Sequence, residues 1–342
     1  MERWRRVGLI VLLAAVVAVG LVSCCAKQPK KDGDEADRGA REAGVEKKYV
    51  IGFSQVTVNE PWRVWFNDLL RKEAAKHPEV ELIIQDADDR TDKQASQMDA
   101  FIAQKVDAIL ISPKEAPGLT DVVRKATEAG IPVVVLDRDV NWDGYACFVG
   151  GDNMEIGRAA GREAVRLLGG EGAAKGVVYE VCGGLASTPA QERRDGFHEI
   201  VEKEEGIEIL GGLDGDWKLN KSMAIMQDAL QRHANIDLVY AHNDPMAHGA
   251  YKAAKAAGRF GEDEGKIKYV LGIDALPEEG ALWVLKGELT ATFIYEPPGA
   301  EGLRQALKIL KTGKPDKKRV TLATGVVNKE NVREFIAEMG GE

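Results

Sequence analysis

Cysteine and aromatic residues are scarce in this chain: there are 4 Cys, and Phe, Trp and Tyr make up 6% of 342 residues. Cys24 and Cys25 sit near the N-terminus, while Cys147 and Cys182 lie in apolar, strand-like runs. Buried free thiols packing as small hydrophobes suit that setting better than a disulfide. An excess of basic charge is also missing. Against 46 Lys and Arg stand 55 Asp and Glu, a net charge of −9, which argues against a nucleic-acid partner because phosphate binding needs a basic stripe. The chain has no Gly-x-x-x-x-Gly-Lys-Ser/Thr loop, no Gly-x-Ser-x-Gly elbow and no His-Glu-x-x-His pair, which argues against an enzyme. His242 and His248 lack metal-ligand spacing with Cys or another His and read as structural. No metal and no cofactor are expected.

A hydrophobic run long enough to span a membrane is absent at the N-terminus too. Val7 to Leu21 is apolar and follows Arg3, Arg5 and Arg6; a spanning helix needs about 20 apolar residues, so a secretory signal fits better. Leu21-Val22-Ser23-Cys24 follows and resembles the lipobox of bacterial lipoproteins. That resemblance implies cleavage before Cys24 and lipidation of its sulfur. An ordinary signal peptide or an uncleaved anchor that contains Cys is the competing reading. Loss of residues 1–23 removes three Arg and one Glu, taking the net charge from −9 to about −11. Residues 26–47 carry six basic and six acidic side chains and one sizeable aliphatic, Val45. They cannot bury enough surface to offset ordering entropy, so 24–47 reads as a lipidated Cys and a disordered tether.

From Tyr49 onward, short β-rich runs alternate with helical patterns, which predicts βαβ units and parallel sheets. Tyr49–Phe53 starts the series. Asn59-Glu60-Pro61 opens a helix, with proline at its first position, and Trp62, Trp65, Phe66, Leu69 and Leu70 repeat at helical spacing, placing Trp65 in the core. The run Val106–Pro113 matches Ile236–Asn243 in pattern, so the second half repeats the grammar of the first. Two doubly wound lobes facing one another across a cleft are expected, and clefts between domains are favoured small-molecule sites. Asp152 and Asn153 are expected to cap the helix that follows them.

The polar residues concentrate at strand ends. Val133-Val-Val-Leu136 runs into Asp137 and Arg138, Leu238–Ala241 into His242, Asn243 and Asp244, and Tyr269–Ile273 into Asp274. Ligands of open α/β sheets sit outside the carboxyl ends of strands. A carboxylate accepts and a guanidinium donates, so these pairs suit a hydroxyl-rich small molecule.

Gly52-Phe-Ser-Gln55, Trp62-Arg63, Leu136-Asp-Arg138, Gln191-Glu-Arg193, Ala241-His-Asn-Asp244 and Gly272-Ile-Asp274 occur in order. With them the chain resembles the sugar-binding proteins of ABC importers, in the ribose and galactofuranose branch. The resemblance runs from about Tyr49 to Asn328. It implies a two-lobed α/β fold with three hinge crossings, the type I periplasmic binding protein fold, with lobes at 48–149 plus 296–323 and 150–295 plus 324–342. It also implies that Asp137, Arg138, Arg193, Asn243 and Asp274 contact sugar hydroxyls, that Trp62 and Trp217 sandwich the ring, and that Tyr295 stands where ribose binders have Gln. Glu60-Pro61-Trp62-Arg63 mixes features of both branches; Glu60 and Arg63 favour extra hydroxyls, a carboxylate or an amine on the ligand. The implied partners are a monosaccharide, ABC permease subunits and a membrane reached through a lipid anchor, for a monomeric extracytoplasmic protein. A sensor presenting its ligand to a membrane receptor or kinase would use the same site. LacI-type repressors share this body, but an export signal and tether stand here where they carry a helix-turn-helix.

Overall fold

The computed structural model describes residues 48–340; the signal segment, Cys24 and the tether through 47 lie outside the described residues. The first part runs β1 (Tyr49–Gln55), α1 (Pro61–Ala74), β2 (Val80–Asp86), α2 (Thr91–Gln104), β3 (Ala108–Ile111), α3 (Ala116–Glu128), β4 (Val133–Leu136) and β5 (Cys147–Gly151). Then come α4 (Asn153–Leu167), β6 (Lys175–Cys182), α5 (Thr188–Val201), β7 (Gly206–Asp214), α6 (Leu219–Arg232), β8 (Leu238–Ala241), α7 (Asp244–Ala256), β9 (Tyr269–Asp274), α8 (Gly280–Leu285) and β10 (Ala291–Ile294). The chain ends with α9 (Gly299–Thr312), β11 (Arg319–Leu322), β12 (Val326–Asn328) and α10 (Val332–Glu338).

These strands form two six-stranded sheets, ordered β11-β5-β4-β3-β1-β2 and β12-β10-β9-β8-β6-β7. Every pairing in the first is parallel, and in the second the β10–β12 pair is antiparallel. The chain passes between the sheets three times, after β5, after β10 and after β11. The expected architecture of two doubly wound α/β lobes is therefore present.

Side-chain alternation explains why both faces of each sheet are covered. Along β4, Val133 and Val135 join Met98, Phe101, Leu119 and Val123 of α2 and α3. Val134 and Leu136 point the other way, to Phe66 and Leu70 of α1 and Leu303 of α9. In the second sheet, Leu271 and Ile273 pack with Ile156 and Phe197 from α4 and α5, while Val270 packs with Ala247 and Val284 from α7 and α8. A truncation such as Leu70→Ala would cost about 2–5 kcal/mol through lost burial and the cavity left behind.

Helix α8 starts at Gly280 and has 6 residues; Glu279, with φ −124° and ψ −99°, is not helical. One local expectation changes. Trp65 is half-buried rather than in the core, and lines a surface groove with Leu69, Leu276 and Met339. The stripe on α1 is interrupted because Arg63 and Asn67 turn inward and are buried.

Candidate functional site

The carboxyl ends of both sheets point at the same space. Leu136 ends β4, and Asp137 then takes φ +64°. Asp274 ends β9 with φ +132°, and Trp217, after β7, has φ +64°. Positive φ is uncommon for residues with a Cβ, and strongly so for a bulky side chain such as Trp. Backbone held in such regions gathers where geometry is dictated by a site. Glu60, Trp62 and Arg63 arrive on the first turn of α1, where Pro61 occupies the opening position. Arg193 comes from α5, Asn243 from the end of β8 and Tyr295 from the end of β10.

All ten candidates line one cavity of ≈ 40 Å³, together with Pro189. Asp137 lines it and is buried. Its Oδ2 accepts from the Ser112 hydroxyl at 2.8 Å and lies 3.3 Å from Arg63 Nη2. The Tyr295 hydroxyl is 2.9 Å from Oδ1 and 3.0 Å from the Asp137 carbonyl. Burial first, then the Asp137 charge, hold the Tyr295 phenol well above its ordinary range.

The three guanidinia are fixed differently. Arg63 donates to Gln55 Oε1 at 2.7 Å and to Ser112 Oγ at 3.2 Å, and its Nε is 3.4 Å from Glu60. Arg138 donates to the Lys114 carbonyl at 3.0 Å, and its Nε is 3.7 Å from Asp137. Burial and the nearby Arg63 charge lower its affinity for the proton, so this cation is held against both desolvation and repulsion. Arg193 donates to Asn153 Oδ1 at 2.9 Å and to the His242 carbonyl, and lies 4.5 Å over the Tyr295 ring. Asp152 accepts from the Glu155 amide and caps α4, as expected; Asn153 does not cap but orients Arg193, because it occupies the first turn of α4 facing α5.

That helix pair packs closely. A Cβ on Gly157 would stand 2.4 Å from the Arg193 carbonyl, and one on Gly196 would stand 2.2 Å from that of Met154. Below Arg193, Glu180 of β6 lies between two imidazoles, with His242 Nε2 at 3.0 Å and His198 Nε2 at 3.1 Å. These hydrogen bonds outweigh burial and bring the Glu180 carboxyl down to about 2. The Gly183 amide donates to His242 Nδ1 at 3.2 Å, which leaves Nε2 to carry the proton. Glu180, Cys182 and His242 place ligand atoms within 4.8 Å of one another, with both His242 nitrogens engaged by these protein partners. His248 is 3.1 Å from Glu288 and stacks on Trp283 at 3.9 Å.

Asn243 does double work: its Oδ1 accepts from the Met246 amide at 3.0 Å, capping α7, and its Nδ2 donates to the Trp217 carbonyl at 3.1 Å. Asp274 is buried and its carboxylate has no hydrogen-bond partner among the described residues. Burial and the adjacent Asp244 push it well up. Trp62 stacks on Tyr295, centroids 5.3 Å apart at 21°, and its Nε1 donates to the Tyr295 carbonyl at 2.9 Å. Trp217 carries the Arg138 and Arg193 guanidinia over its ring at 5.2 and 5.5 Å. Gln55 and Ser112, which orient Arg63 and Asp137, were not among the candidates. Both stand at strand ends, so the rule that found Asp137 applies to them as well.

Two doubly wound lobes meeting over a cleft lined by strand ends define the two-lobed, cleft-binding class of proteins. The chain belongs to the periplasmic binding protein domain family, whose sequence profile matches residues 51–315. It is 31% identical over 279 residues to the ribose import binding protein of Bacillus subtilis, covering 81% of this chain and 84% of the relative. To the galactofuranose-binding protein of Escherichia coli it is 32% identical over 282 residues, covering 80% and 86%. Among solved structures, the fructose-binding periplasmic domain of a hybrid two-component system superimposes with a TM-score of 0.80 at 38% identity, covering 85% of this chain and 94% of that domain.

Proposed function

We propose that this chain is an extracytoplasmic solute-binding protein, not an enzyme, that captures a monosaccharide in the cleft and delivers it to an ABC permease. A pentose, a hexofuranose or a related polyol fits best. The observation that carries this reading is the convergence of three guanidinia, three carboxylates and two indoles on one cavity supplied by both lobes. Fixed donors beside fixed acceptors match neighbouring hydroxyls, and indole faces suit the C–H face of a sugar ring. The ribose import binding protein and the galactofuranose-binding protein support the same ligand class. A thermal-shift screen of monosaccharides, inositols and sugar acids tests it. A ligand at 100 times its dissociation constant adds about 2.7 kcal/mol of stability, seen as a raised Tm; a panel in which nothing raises Tm contradicts the reading.

The cavity of ≈ 40 Å³ has room for a few waters rather than a sugar ring. Ligand entry therefore needs the lobes, 48–149 plus 296–323 and 150–295 plus 324–342, to part at the three crossings and close again as a monomer. Among the described residues no helix is long and apolar enough to cross a membrane. In this reading residues 1–23 are removed as a lipoprotein signal, and lipid on Cys24 with the tether through 47 holds the body at the membrane. Cys24→Ser should move the protein from the membrane to the soluble extracytoplasmic fraction; identical fractionation of variant and parent contradicts the anchor. The likeness to a fructose-binding domain of a two-component system favours a second reading, a sensor presenting its sugar to a membrane receptor or kinase.

A further inference from the structure

The two walls of the cleft differ in charge. On the first lobe, Arg63 and Arg138 stand with Asp137 and Glu60, and these charges are paired. Asp137 Oδ2 lies 3.3 Å from Arg63 Nη2 and 3.7 Å from Arg138 Nε, and Glu60 lies 3.4 Å from Arg63 Nε. Arg63 also donates to Gln55 and Ser112, so it is committed within the protein rather than offered to an acidic ligand. The second lobe supplies one guanidinium to the cavity, Arg193, held by Asn153 and the His242 carbonyl. Asp274, 7% exposed, has neither a hydrogen-bond partner nor an ion-pair partner among the described residues. Asp244 sits next to it, accepting from the Ala275 amide at 2.8 Å. Asp244, Glu279 and Asp137 all disfavour the Asp274 charge, and Arg193 opposes them.

Asp274 also lines a wider, open cavity of ≈ 660 Å³ beside the first. The lysines there do not offset its charge: Lys218 pairs with Asp89 and Asp216, Lys221 lies 3.7 Å from Asp214, and Lys252 is exposed. A buried carboxylate without donor or counter-charge is unfavourable. A sugar hydroxyl supplies only the donor, whereas an ammonium supplies donor and charge together. We propose that the ligand is an amino sugar or amino polyol whose ammonium pairs with Asp274. This rests on the sugar-binding reading above and narrows its ligand class. In a closed cleft the pair is worth more than it would be in water. The ammonium also favours the ionised form of Asp274, reversing the effect of its carboxylate neighbours.

Calorimetric titration in neutral buffer tests it. D-glucosamine, kanosamine, D-galactosamine and D-ribosamine offer the nitrogen on different rings and at more than one carbon. Each is compared with its neutral sugar and with its N-acetyl derivative, which keeps the nitrogen and removes the charge. Asp274→Asn is the discriminating variant, because it keeps the size of the side chain and removes its charge. At least one amine should bind the parent about a hundredfold tighter than its neutral sugar, in the range of close charge pairs across an interface. N-acetylation and Asp274→Asn should each abolish that preference. Neutral sugars that bind as tightly as their amines overturn the amine proposal alone, as does a preference that survives N-acetylation or Asp274→Asn. Binding of neither amines nor neutral sugars overturns the sugar-binding reading with it.

Discussion

Asp137 accepts from Ser112 and Tyr295 and faces Arg63, so one buried carboxylate joins groups from both lobes before any ligand arrives. Arg138 is the opposite case. Its guanidinium is desolvated and repelled by Arg63, so its placement serves something other than the stability of the lobe. The two neighbours should therefore part company on mutation. Asp137→Ala takes from Arg63 its buried carboxylate partner and leaves only the more exposed Glu60, a loss of about 3 kcal/mol, and should lower Tm by roughly 6–12 °C. Arg138→Ala should stay within a few degrees of the parent. Thermal melts of the two variants decide this; equal Tm losses would mean that Asp137 and Arg138 act as a simple structural pair. Asp137 and Arg138 were legible in the sequence as charged residues ending an apolar strand. The left-handed backbone at Asp137 and Trp217 was not, because Asp-Arg and Asp-Trp carry no glycine to announce it.

Helix α5 is placed by contacts on two sides. Gly157 and Gly196 let it lie against α4, and the Glu180 carboxylate ties its His198 to the sheet. Arg193 rides on that helix, so the position of a guanidinium lining the cavity depends on a buried polar cluster several residues away. Glu180 has a depressed pKa, about 2 against 4.5, so its contribution is fully present above 4.5 and fades as pH falls toward 2. For a group this buried the contribution is on the order of 3 kcal/mol. The Tm gap between parent and Glu180→Gln should accordingly be widest near neutral pH and shrink from pH 4.5 toward pH 2. A gap independent of pH would remove Glu180 from this role. Proline and hydrophobic periodicity together located the start of α1 at Pro61. Periodicity said nothing of β10, β11 and β12, whose three or four residues are too few to set a period. The inward turn of Asn153 and the half-exposure of Trp65 were hidden for another reason. Both follow from which neighbouring helix lies alongside, which a single helix's spacing does not encode.

The molecule as a whole repeats one construction twice, a strand order that reverses at β1 in one sheet and at β6 in the other. Such reversals open the crevices in which α/β sheets bind ligands. Setting two of them face to face gives a cleft with donors and acceptors on both walls. Its paired strand ends were visible in the sequence at Asp137, Asn243 and Asp274. The stacking of Arg138 over Trp217 was not, because it forms only when the lobes are brought together. Calorimetric titration of the parent and Arg138→Ala, with the sugar that raises Tm most, tests the central claim that this cleft is a sugar site. Loss of charge-assisted hydrogen bonds in a closed cleft should weaken binding about a hundredfold, some 3 kcal/mol, at one sugar per chain in the parent. A variant that binds with the parent's affinity would contradict the assignment.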